Sequence, residues 1–103
     1  MTNGRYLYTQ KFQYIYDAYG KLLTLECYSR DDFNDWSFDY QVDYKYDKKG
    51  RVIEEKEYCT GIQAFIEKIY YDEKGNISKV QLIEQSGTYE DITTVEYEYG
   101  WVN

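Results

Sequence analysis

The chain has 103 residues, with 19 acids against 12 bases for a formal net charge of −7, 15 tyrosines, two cysteines, and neither proline nor histidine. That length fits a single domain, 1–103, able to bury a modest core without metal or disulfide support. A negative field of this kind repels nucleic acid and anionic membrane and attracts basic partners, and the missing histidine removes the commonest general base and metal ligand.

The N-terminal Met1-Thr2-Asn3-Gly4-Arg5 lacks the apolar region of a signal peptide, and no segment approaches a membrane span, so the expected location is the cytoplasm. A first strand over 5–16 places Tyr6, Tyr8, Phe12, Tyr14 and Tyr16 on one side. It ends in Tyr14-Ile15-Tyr16-Asp17-Ala18-Tyr19-Gly20, a phrase that returns as Tyr44-Lys45-Tyr46-Asp47-Lys48-Lys49-Gly50 and as Ile69-Tyr70-Tyr71-Asp72-Glu73-Lys74-Gly75. Each glycine is followed by a polar residue and an aliphatic one: Lys21-Leu22, Arg51-Val52, Asn76-Ile77. A shortened copy, Tyr97-Glu98-Tyr99-Gly100, closes the series. Aspartate suits the first position of a type I turn, because its carboxylate accepts a bond from the backbone two residues on. Glycine suits the left-handed position that follows. Three hairpins therefore turn at 17–20, 47–50 and 72–75, with Tyr16 facing Leu22, Tyr46 facing Val52 and Tyr71 facing Ile77.

The remaining strands fall at 21–29, 37–46, 51–59, 63–71, 76–85 and 89–99. They are joined by the connector 30–36, a Thr60-Gly61 turn and Ser86-Gly87-Thr88. The expected fold is all-β: an antiparallel up-and-down meander of about seven strands, a curled sheet or half-barrel. The stretch 63–71 also accommodates a helical turn. Strict alternation along the third strand puts Phe38, Tyr40, Val42, Tyr44 and Tyr46 on one face, which marks that face as the core. Tyr89, Val95, Tyr97 and Tyr99 join it from the last strand. Leu23, Leu25, Ile53, Ile66, Val80 and Leu82 land on the opposite face. Either a bulge flips parity within the second, fifth and sixth strands or a second apolar patch exists, and dimerisation would cover what the sheet leaves exposed. Cys27 and Cys59 read as buried free thiols on one face.

The repeated phrase resembles the YD repeats of Rhs-type bacterial proteins over the three turns and their flanking strands, most of the chain. Such repeats build β shells or sheets that encapsulate, bind carbohydrate or present other domains. The resemblance therefore implies a scaffold and assigns no catalytic residue. The aspartates are spaced by 30 and then 25 residues, a looser period than an array needs. A fainter similarity, carried at Gly100-Trp101, is to cell-wall-binding hairpins, which implies choline or glycan binding.

No phosphate-binding glycine loop or zinc spacing occurs, and the reading is of a non-enzymatic protein with no cofactor and no metal. Two acidic groupings are candidate binding elements. One is the connector, with Asp31, Asp32, Asp35 and Trp36, where an aromatic anchor sits among carboxylates. The other comprises Asp39, Asp43, Glu55, Glu57, Glu90, Glu96 and Glu98, which unbroken alternation places together on the outer face. Carboxylates there would lie about 5 Å apart across the sheet and about 7 Å along it, close to phosphate spacing. The expected partner is a protein with a basic surface, and the sharpest form of this reading is an inhibitor of a nucleic-acid-handling enzyme, of the toxin-immunity or phage anti-defence type. A carbohydrate- or cell-wall-binding repeat with tyrosine platforms is the alternative.

Overall fold

A computed structural model describes residues 8–31, 35–59 and 63–100. Seven strands run in chain order: β1 (Tyr8–Tyr16), β2 (Leu22–Asp31), β3 (Ser37–Tyr46), β4 (Val52–Cys59), β5 (Gln63–Tyr71), β6 (Ile77–Ser86) and β7 (Tyr89–Glu96). They form one antiparallel sheet in the order β1-β2-β3-β4-β5-β6-β7, open at both edges and not closed into a barrel. The stretch 63–71 is strand throughout, paired on both sides. Tyr6, the Thr60-Gly61 turn and Trp101 lie outside the described residues.

The three hairpin turns are built alike. In each, the aspartate carboxylate accepts two backbone N–H groups, from residues two and four positions on: Tyr19 and Lys21 at Asp17, Lys49 and Arg51 at Asp47, Lys74 and Asn76 at Asp72, all at 2.8–3.0 Å. The glycine N–H closes the turn onto the aspartate carbonyl, and Gly20, Gly50 and Gly75 sit at φ +87°, +84° and +87°. Tyr16 opposes Leu22, Tyr46 opposes Val52 and Tyr71 opposes Ile77, as the sequence indicated.

Successive hairpins are then tied by tyrosines of the repeated phrase. The Tyr46 hydroxyl donates to the Leu22 carbonyl at 2.7 Å, Tyr71 to Val52 at 2.7 Å and Tyr99 to Ile77 at 2.8 Å. Lys21 and Arg51 cover the Tyr46 and Tyr71 rings at 5.2 and 4.3 Å, adding a cation–π contact at each step. Each hairpin thus fixes the next one at its turn end.

One residue beyond each turn, the register slips. Leu23, Ile53 and Ser78 have no residue opposite them, a bulge in the outgoing strand of every hairpin. A one-residue slip sends all later side chains to the other face. Leu25, Val80 and Leu82 thereby join the aromatic face; the fifth strand, where a flip was also expected, has no bulge, so Ile66 stays opposite, paired with Ile83 and through it with Ile92. A fourth slip at Asp39 turns Phe38 away from the aromatic face, edge-on to Tyr28 at 6.0 Å.

The aromatic face is not an enclosed core. A single layer has nothing to pack against, and among the described residues only Cys27, Ala64, Val80, Ile83 and Ser29 are buried. The radius of gyration, 18.7 Å, exceeds the roughly 13 Å of a compact domain of this length. Cys27 and Cys59 do flank Tyr40 on one face, with Cys27 buried but Cys59 exposed. Two strand spacings, about 10 Å, separate them, beyond the reach of a disulfide. Burial and the nearby Asp39 carboxylate push the Cys27 thiol up, which keeps it unreactive.

Candidate partner-binding face

The register sorts the charged residues. On the polar face lie the strand cations Lys11, Arg30, Lys45, Lys56, Lys68 and Lys79, interleaved with Glu26, Asp43, Glu54, Glu90 and Glu96. Most of these polar-face groups are engaged. Lys45 pairs with Glu54 at 3.2 Å. Asp43 accepts from Thr24, Gln41 and Tyr58. Tyr28 donates to Glu26, and Gln85 to Glu90. The charges of this face are balanced among themselves, around the isoleucine row Ile66, Ile83 and Ile92.

The aromatic face differs. One row across all seven strands reads Tyr14, Leu25, Val42, Glu57, Phe65, Glu84, Asp91, and the next reads Tyr44, Glu55, Glu67, Leu82, Thr93 from β3 to β7. No lysine or arginine of the described strands points this way; Lys21 and Arg51 sit at the turns, over Tyr46 and Tyr71. Glu55 directly opposes Glu67 and Glu84 directly opposes Asp91, like-charge pairs that cost stability in a sheet. From β3 to β7 these rows line a groove of about 470 Å³ whose apolar floor includes Val42, Tyr44, Phe65 and Leu82. Phe65 and Leu82 remain 43 % and 45 % exposed.

Electrostatics follow this geometry. Partial burial, then the facing Glu67 carboxylate, raise the Glu55 pKa above 4.5. The backbone N–H bonds at the turns hold Asp17 and Asp47 below 3.8. The two effects have opposite signs in a pH titration. Stability from protonating Glu55 is present below its unfolded pKa and lost as pH rises through the folded one. Stability from ionised Asp17 and Asp47 is present above their unfolded pKa and lost as pH falls through the folded ones. Thermal melts from pH 7 to 2.5 should therefore rise on acidification, peak at about pH 4–5, and fall below that. A steady decline from pH 7 downward would contradict the carboxylate placement.

The candidate residues do not form one surface. Glu55 and Glu57 lie in the groove on the aromatic face, because the bulge at Ile53 reverses their parity. Asp43, Glu90 and Glu96 are on the polar face. Asp39 is the bulged residue and accepts from the Ser29 hydroxyl at 2.9 Å, an internal role. Trp36 is half-buried between the Lys11 ammonium at 4.4 Å and the Arg30 guanidinium at 4.7 Å, which anchors the connector to the polar face. Asp35 and Glu98 are exposed. Asp32 and the Asp31 side chain lie outside the described residues. Glu67, Glu84 and Asp91 were not among the sequence candidates. Their placement follows from two separate registers, the slip at Ile53 that turns Glu55 to the aromatic face and the β4–β5 pairing that sets Glu67 opposite it. Among the described residues no group of three His, Cys, Asp or Glu side chains is placed to hold a metal ion. Comparison with protein-family models, with curated proteins and with solved structures returns no match.

Proposed function

We propose that the protein is a non-enzymatic binding module whose aromatic face receives a basic protein. The observation that carries this reading is the segregation of charge: one face neutralises its acids internally, and the other sets carboxylates on a half-exposed apolar floor with no strand cation beside them. A sheet meant only to be soluble has no use for like charges directly opposed. Local rules broken without an internal gain mark functional surface. Carboxylates one strand apart lie about 4.8 Å from each other, a density that complements lysine- and arginine-rich surfaces such as those of nucleic-acid-handling enzymes. An inhibitor of such an enzyme is the form of the proposal with the clearest physical rationale. The carbohydrate alternative draws less support: Tyr14, Tyr16 and Tyr89 do stay exposed, but sugar stacking gives no reason to set Glu55 against Glu67 or Glu84 against Asp91.

The test compares two variants of equal charge as bait in cells of the source organism. The first is Glu55, Glu57 and Glu67 to lysine, the second Glu54, Glu90 and Glu96 to lysine. Wild type and the second variant should retain one basic protein whose association slows steeply with salt, as steering over about 8–10 Å is screened; the first variant should lose it. Equal capture by the first variant would reduce the acidic face to a solubility device.

A further inference from the structure

Resting on the aromatic face as the binding face, we propose that its occupant is an amphipathic α-helix of the partner, basic along its flanks, laid across β3–β7 in the groove. Within the sheet the strands hydrogen-bond one another, so the face presents side chains, and the continuous rows of unpaired backbone groups run along the β1 and β7 edges. An extended segment would find its hydrogen bonds at an edge. Laid in the groove it would bury unpaired N–H and C=O groups, a cost a helix avoids by satisfying them internally.

The dimensions agree. From Val42 and Tyr44 on β3 to Asp91 and Thr93 on β7 is four strand spacings, about 19 Å, which about 13 helical residues span. The strand spacing of about 4.8 Å is close to the helical pitch of about 5.4 Å. Cations one and then two turns apart therefore meet Glu57 on β4, Glu67 on β5 and Asp91 on β7, and an apolar stripe meets Phe65 and Leu82 between them. The surface left open is large enough: 8217 Å², against roughly 6,200 Å² for a compact monomer of this size. A second copy docked aromatic face to aromatic face would set carboxylates against carboxylates.

The probe is a 14-residue peptide of leucine and lysine in amphipathic helical order, with a peptide of the same composition reordered to have no apolar stripe. Calorimetric titration should show the ordered peptide binding at least tenfold more tightly, with circular dichroism showing it helical in the complex. Phe65→Gln with Leu82→Gln should remove that advantage, and so should Glu55→Gln with Glu67→Gln, a pair expected to leave the fold more stable. Glu54→Gln with Glu96→Gln on the polar face should not. Equal binding of the two peptides, or none by either, would overturn the helix proposal. Either result leaves the basic-partner reading to the bait comparison, which does not depend on the shape of the bound segment.

Discussion

Glu67→Lys is expected to make the isolated protein more stable and to abolish partner binding. The side chain directly opposes Glu55 across β4 and β5 on a face without strand cations. Lysine there replaces a like-charge pair by an ion pair, worth about 1 kcal/mol, or a rise in melting temperature of roughly 4–8 °C for a domain of this size. The substitution also places a cation at the centre of the surface offered to a basic partner. Opposite movements of stability and binding are the signature of residues held in place for function. A drop in stability would mean that Glu67 has an internal role, and unchanged binding would remove the face from the interface.

Gly50→Val is expected to cost about 1–3 kcal/mol, because valine resists the left-handed backbone that the turn requires. Gly50 holds φ at +84°, and a Cβ there would stand 2.8 Å from the Lys21 ammonium, whose flexible side chain would have to leave the Tyr46 ring. Gly20 has the same backbone, φ +87°, but open space around it. Gly20→Val should thus show the backbone term alone, and the difference between the two variants measures the Lys21–Tyr46 contact. Wild-type melting of both would refute the turn geometry.

The turns, the strand count and the meander were legible in the sequence because Asp-x-x-Gly states its backbone requirement in two residue types. The facing pairs Tyr16–Leu22, Tyr46–Val52 and Tyr71–Ile77 follow from it. What alternation could not supply was the slip one residue later. Leu23, Ile53 and Ser78 share no residue type that announces a bulge, yet the slip at Ile53 decides on which face Glu55 and Glu57 stand. Counting straight through from Val52 groups them with Asp43, Glu90 and Glu96, and the structure separates the two sets. The misplaced aliphatics Leu25, Val80 and Leu82 were the visible symptom of the slips at Leu23 and Ser78. Phe38 carried no such symptom, since an aromatic suits either face. The absence of a second layer was equally hidden, for a half-buried strand alternates in the same way whether its apolar face meets another layer or awaits a partner.

The most direct measurement is a nuclear magnetic resonance titration of side-chain carboxyl carbons with the basic protein that the wild-type bait retains. Resonances of Glu55, Glu57 and Glu67 should move as complex forms, with those of Glu54, Glu90 and Glu96 staying in place. Movement of the second set with the first unchanged would place the partner on the polar face and contradict the assignment of the aromatic face as the binding surface.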